Sequence, residues 1–158
     1  MEDFKISQLT KEIVLSRLRE MEDPCRAAAD LVGSTLEVAL KGLEPGTVAE
    51  SRIVEDACQG GMTGLLLNDQ SLMRGAVLIL ETVCDLAARL NLDQPEMMRS
   101  ALRGIADMRR FVRPEMLAEI RAAIEGRFHG AGLAFEKLCE APADKAAQVL
   151  PFKPSEPG

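Results

Sequence analysis

The sequence predicts an all-α fold, a single-domain bundle of five to six amphipathic helices joined by short turns rich in Pro, Gly and Asn. The chain has no Trp or Tyr and only 5 Phe among 158 residues, so aliphatic side chains must fill its core. Apolar residues recur every three to four positions, as on one face of a helix, and no stretch alternates as a half-buried strand does. Both observations favour helices packed on helices.

Turn-forming residues set the predicted limits of each helix. Asp23 is an N-cap followed by Pro24 in the first turn, and Arg113 precedes Pro114, which pushes it out of the helical conformation. We therefore predict helices over 7–22, 24–41, 48–67, 69–90, 94–112 and 114–139. Residues 1–140 form the predicted bundle domain. Residues 141–158 are rich in Pro and polar residues, and they are expected to form a poorly ordered C-terminal tail.

Composition narrows the expected partners and compartment. The 19 Lys and Arg against 25 Asp and Glu give a net charge of −6, which disfavours nucleic acid and anionic membranes as partners. No uncharged apolar run reaches the roughly 20 residues of a transmembrane helix, so no membrane partner is expected. The 4 Cys are isolated, without a C-x-x-C pair, and are expected to be reduced thiols in a cytoplasmic protein.

The sequence carries little of the chemistry that enzymes use. Its single histidine, His129, is expected to be exposed, and one histidine cannot build the paired-histidine sites of di-iron or zinc enzymes. The carboxylates show no repeated arrangement that would collect magnesium. No catalytic residue, metal or cofactor is therefore predicted, and catalysis is the less favoured interpretation.

Residues 58–64, CQGGMTG, place three glycines in seven positions. They match neither glycine-rich phosphate-binding pattern, G-x-G-x-x-G or G-x-x-x-x-G-K-[ST]. Inside a helix each glycine costs about 1 kcal/mol relative to alanine, so close approach of a second helix is expected to offset them. The predicted sixth helix offers a partner, because small residues recur there at every fourth position. The predicted helix-contact residues are Gly60, Gly61 and Gly64 on one side, and Ala118, Ala122, Gly126 and Gly130 on the other.

A pocket is the alternative interpretation of the same glycines. An apolar ligand lying against the exposed backbone would also compensate for the missing side chains. The predicted lining is Cys58, Met62 and Cys84. Such a pocket would make the chain a small-ligand-binding or enzymatic bundle.

Residues 83–102, VCDLAARLNLDQPEMMRSAL, resemble the helix-turn-helix of DNA-binding proteins. The positions that this motif buries carry Leu86, Ala87, Leu90, Leu92 and Met97. Asn91 stands at the usual turn glycine, and Ser100 stands at a position that is usually apolar. The resemblance implies a second helix that contacts DNA. The candidate contacts with bases, phosphates or other anions are Arg99, Arg103, Arg110 and Arg113.

An ordinary helical hairpin is the alternative interpretation of this segment. Its arginines would then face water or pair with carboxylates, for which the candidates are Glu96, Glu115, Glu119 and Glu125. The acidic charge of the chain favours the hairpin over DNA binding. Low aromatic content and rows of small residues favour helix-mediated assembly, so we predict a non-catalytic helical interaction or assembly module. Its expected partner is itself, as a homodimer or larger species, or an unknown protein. The alternatives are a DNA-binding regulator using 83–102 and a ligand-binding or enzymatic bundle with a pocket near 58–64.

Overall fold

The structure, a computed structural model, describes residues 6–13, 23–44 and 46–140, and every described segment is helix or connecting turn. The predicted all-α class is therefore confirmed. Residues 14–22 of the predicted first helix and the predicted tail at 141–158 lie outside the described residues. The helices are α1 (residues 6–13), α2 (Pro24–Leu40), α3 (Val48–Leu67), α4 (Leu72–Arg89), α5 (Gln94–Ala106), α6 (Pro114–Arg127) and α7 (Ala131–Glu140). A short 3-10 helix, Asp107–Arg110, follows α5.

Local side-chain chemistry explains where the helices begin. In four of them a polar side chain accepts a hydrogen bond from the backbone N–H three residues further on. These caps are Asp23 for α2, Thr47 for α3, Ser71 for α4 and Asp93 for α5. The helix predicted to start at residue 69 starts instead at Leu72, because Asp69 adopts a left-handed conformation with φ of 58° and closes α3. The α-helix predicted to reach residue 112 ends at Ala106, where the 3-10 helix begins.

The core lies among α2, α3, α4 and α5, each of which packs against two or more of the others. The hairpin of α6 and α7 covers one side, with α6 against α4 and α7 against α5. The largest fully buried side chains of the central helices are Leu36, Met62, Leu65, Ile79, Leu80, Leu86 and Ile105. Each such side chain stabilises the fold by about 1.5–3 kcal/mol relative to an exposed one. The core is thus aliphatic, as the composition predicts.

The predicted helix 114–139 is wrong as a single element, because it breaks between α6 and α7. Phe128 leaves the helical conformation with φ of −128° and ψ of 99°, and Gly130 follows with φ of 92°, where an L side chain is strained. The described part of the chain therefore contains seven α-helices rather than five or six. At the start of α7, Gly132 lies so close to α6 that an added Cβ would meet the Glu125 Cβ at 2.7 Å.

Candidate interaction surfaces

The glycines of α3 lie inside the bundle, and all three of Gly60, Gly61 and Gly64 are buried. At Gly61, an added Cβ would approach Val32 of α2 to 2.7 Å and Ile79 of α4 to 3.2 Å. At Gly60, it would approach the Ser7 carbonyl oxygen of α1 to 2.9 Å. These neighbours belong to α1, α2 and α4. For Gly60 and Gly61, the predicted pairing with the small residues of α6 is therefore wrong.

A glycine of α5 that was not among the predicted contact residues lies close to the backbone of α3. Gly104 of α5 lies directly against the α3 backbone, where an added Cβ would overlap the Glu55 carbonyl oxygen. The same Cβ would lie 3.1 Å from the Gln59 nitrogen and 3.2 Å from the Cys58 Cβ. The sequence signal for this contact is a lone glycine inside a helix. Such a glycine destabilises the helix by about 1 kcal/mol relative to alanine, and close packing against a second helix offsets that loss.

The small residues of α6 lie on its outer side. Ala118, Ala122 and Gly126 are exposed, and Gly130 lies in the turn after the helix rather than in the same row. Among the described residues, no heavy atom comes within 4 Å of a Cβ built at Gly126. The predicted row of small residues therefore has three members rather than four, and all three are exposed.

Two of the three predicted pocket residues lie in the core, and the third lies nearer to the surface. Cys58 and Met62 are fully buried in the core, and burial raises the pKa of the Cys58 thiol far above its ordinary value, which disfavours the nucleophilic thiolate. Cys84 is half-buried, and its sulfur accepts a hydrogen bond from Gln94 Nε2 at 2.9 Å. Side chains of the chain itself fill the space beside Gly61, where a ligand was expected.

The segment that resembles a helix-turn-helix forms a hairpin of α4 and α5. Its turn is closed by Asn91, which has φ of 58°, and by a hydrogen bond of 2.8 Å from the Leu92 nitrogen to the Ala87 carbonyl. Ser100 is buried, and its Oγ lies 2.6 Å from Ser51 Oγ on α3. Asn91 therefore takes the place of the usual turn glycine. The hydrogen bond between Ser51 and Ser100 gives the buried Ser100 hydroxyl a partner at a position where the motif usually has an apolar side chain.

Three of the four candidate arginines form ion pairs with carboxylates of the same chain. Arg99 pairs with Glu96 one turn before it, and Arg110 pairs with Asp107 at 3.1 Å. Arg103 reaches across to α3, where its Nε lies 3.7 Å from Glu55 and its terminal nitrogen donates to Ser51 at 3.3 Å. Burial raises the pKa of the Glu55 carboxyl, and Arg103 opposes that shift. Arg113, exposed at the start of α6, forms no ion pair with any described residue. Of the carboxylates predicted as partners, Glu96 pairs with a candidate arginine, whereas the other two partners, Glu55 and Asp107, were not predicted.

The outer side of α5 forms a groove with α7, which we call the α5–α7 groove. Its volume is about 390 Å³, and its lining consists of Pro95, Met98, Arg99, Leu102, Arg103, Ala134, Lys137 and Leu138. The floor is apolar, and the charged lining residues are all cations. The α7 side of the groove, including Lys137, was not among the residues predicted from the sequence.

A second surface surrounds Phe111, and we call it the Phe111 surface. Phe111 is 56% exposed at the edge of a groove of about 570 Å³. The apolar residues lining this groove are Leu66, Leu72, Phe111, Val112 and Met116, and the polar ones are Asp69, Gln70, Arg113, Glu115 and Glu119. Leu67, next to Leu66 in the chain, is 59% exposed. The sequence signal for this surface is the apolar pair Phe111 and Val112 immediately before the break at Pro114.

Comparison with family models, curated proteins and solved structures gives no match for this chain. Within residues 6–13, 23–44 and 46–140, no cluster of three or more His, Cys, Asp or Glu is arranged to hold a metal ion. No helix of this described part has both the length and the apolar character to cross a membrane.

Proposed function

We propose that this chain is a non-catalytic helical module that associates with other helices, in the first place those of a second copy of itself, through the Phe111 surface. The observation that carries the proposal is the exposure of Phe111 at the edge of a groove whose lining contains further apolar side chains. Contiguous exposed apolar patches on soluble proteins often mark sites that bind other proteins. Aromatic residues are enriched at interfaces because one ring buries a large area with few rotatable bonds.

The outer side of α6 extends this surface. By helical spacing, Glu115 and Glu119 share one side of α6 with Ala122 and Gly126, and all four are exposed. Short side chains let another helix approach closely and lose little conformational entropy when they are covered. Beyond Glu119, a partner helix can therefore continue along this side of α6 over Ala122 and Gly126, where the side chains are short.

Substitution of Phe111 tests this function directly. We expect the wild-type chain to form species heavier than the 17.2 kDa of one chain at micromolar concentration in light scattering. Phe111→Ser should weaken that association by about tenfold or more, the scale expected for losing a buried aromatic contact. Val38→Ser is the control, because Val38 is 73% exposed on α2, outside the Phe111 surface. A monomeric wild type, or two variants that behave alike, would contradict the proposal.

DNA binding through α4 and α5 is the second candidate function. Its support is the hairpin itself, with the buried positions and turn that the helix-turn-helix resemblance implies. Against it stand the carboxylates on Arg99 and Arg103, and the packing of α7 beside α5. If the candidate holds, the chain binds mixed genomic DNA with an affinity that falls steeply with salt, and joint Arg99→Glu and Arg103→Glu substitution abolishes binding. No retention at low salt would exclude it.

A further inference from the structure

The α5–α7 groove and the Phe111 surface carry charges of opposite sign around apolar residues. In the groove, Arg99, Arg103 and Lys137 are the charged residues of the lining. The Phe111 surface has Asp69, Glu115 and Glu119, with Arg113 as its only cation among the lining residues. The two surfaces lie at different places in the fold, since the first half of α5 builds the groove and Phe111 follows the 3-10 helix after α5.

Two of the three groove cations, Arg99 and Lys137, have hydrogen-bond donors that no described residue accepts. Lys137 is exposed and forms no ion pair with any described residue. Arg99 binds Glu96 through one terminal nitrogen, and its side chain is 54% exposed. A guanidinium has five N–H donors, so such a pair leaves several of them for a second acceptor. Exposed ion pairs contribute at most about 1 kcal/mol, so Arg99 can exchange its partner at little cost.

The groove floor suits an aromatic ring. Met98 and Leu102 of α5 and Leu138 of α7 form its apolar part. Methionine adapts its shape to a neighbour, and its sulfur makes favourable contacts with aromatic rings. Arginine and lysine side chains at the edge can lie over the face of a ring that enters the groove. Phe111 is the exposed phenylalanine of the described part of the chain, and Asp69, Glu115 and Glu119 line the groove at whose edge it lies.

We propose that copies of this chain associate head to tail, with Phe111 of one copy inserted into the α5–α7 groove of the next. Asp69, Glu115 and Glu119 of the first copy then face Arg99, Arg103 and Lys137 of the second. This inference rests on the proposed function and names the surface that receives Phe111. Because the two contacting surfaces differ, repetition of this contact builds a closed ring of copies or an open chain.

Reversal of the two sets of charges tests the contact. One variant carries Glu115→Lys and Glu119→Lys, and the other carries Arg99→Glu and Lys137→Glu. Alone, each variant places like charges on both sides of the contact, so its association should be at least about tenfold weaker than that of the wild type. In an equimolar mixture, each surface meets its opposite charge on the other variant. We therefore expect the mixture to recover most of the wild-type association in sedimentation velocity.

A matched control separates this contact from an effect of net charge. Asp30→Lys with Asp85→Lys makes the same change in charge as the reversed carboxylate pair, at exposed positions of α2 and α4. This control should associate like the wild type. Circular dichroism and urea unfolding of every variant identify any that fail to fold. For such a variant, the corresponding neutral substitutions, Glu115→Gln with Glu119→Gln or Arg99→Gln with Lys137→Gln, take its place and should also weaken association.

The outcomes distinguish this inference from the function on which it rests. A monomeric wild type overturns both. If the wild type associates and Phe111→Ser disrupts it, but the charge-reversed variants associate normally or their mixture does not recover, the head-to-tail contact is wrong and the proposed function stands. Normal association of the Arg99→Glu and Lys137→Glu variant, with loss of DNA retention, would assign these cations to nucleic acid and also overturn the contact.

Discussion

At the scale of single residues, Glu125 joins α6 to α7. Its carboxylate accepts hydrogen bonds from the backbone N–H groups of Gly130 and Gly132, each at 2.9 Å. These two bonds occupy N–H groups at the start of α7 that have no partner within the helix, and they stabilise the turn at Gly130. They also hold the pKa of Glu125 below its ordinary value, with a smaller contribution from His129 beside it.

This lowered pKa predicts a pH dependence of folding stability. The carboxylate is favoured in the folded chain, so its contribution is complete above the ordinary pKa of 4.5 and is lost as pH falls through the lowered folded value. We expect the difference in unfolding free energy between wild type and Glu125→Gln to shrink from pH 7 to acid pH in urea unfolding. Asp30→Asn, exposed on α2 and outside the linings of both proposed contact surfaces, is the control and should show little of this change. An unchanged difference across that range would contradict the role of Glu125.

At the scale of helices, the crossing of α3 and α5 depends on Gly104. Its Cα lies against the α3 backbone, so Gly104→Ala should overlap the Glu55 carbonyl oxygen and destabilise the fold by about 1–3 kcal/mol. Gly126→Ala is the matched change in an open position of α6, where we expect stabilisation of about 0.5–1 kcal/mol through helix propensity. Urea unfolding measures both effects. Equal effects of the two substitutions would show that the crossing is not tight at Gly104.

Helix starts could be predicted from the sequence because the chemistry that sets them is local. Asp23, Thr47 and Asp93 each cap a helix at the predicted place through a hydrogen bond to a backbone group three residues away. The break at Gly130 was missed, since the apolar spacing of 114–139 continues across it and the carboxylate that closes the turn comes from Glu125.

The candidate surfaces were harder to predict than the helices. The neighbouring helices in the bundle determine which side of a helix is covered. The spacing of residues along one helix does not identify those neighbours. Helical spacing predicts the row of small residues at Ala118 and Ala122. Its exposure, and the location of Gly60 and Gly61 against other helices, depend on how helices that are distant in the sequence pack together. Likewise, the link between Ser51 and Ser100 joins residues 49 positions apart.

At the scale of the whole molecule, the chain combines a net charge of −6 with a local cluster of cations in the α5–α7 groove. General repulsion between copies opposes association, whereas opposite charges at the head-to-tail contact favour it. Added salt screens exposed charges beyond a Debye length of about 10 Å at 0.1 M. The apolar contact of Phe111 is not screened in this way, so the proposed association has one component that salt weakens and another that it leaves in place.

The most direct test of self-association is the weight-average mass of the wild-type chain in sedimentation experiments from low to high micromolar concentration. The proposal predicts a mass that starts near 17.2 kDa, rises with concentration, and stays close to the monomer value for Phe111→Ser over the same range. A wild-type mass that remains at 17.2 kDa throughout would contradict self-association. A rise of equal size in Phe111→Ser would contradict the part assigned to the Phe111 surface.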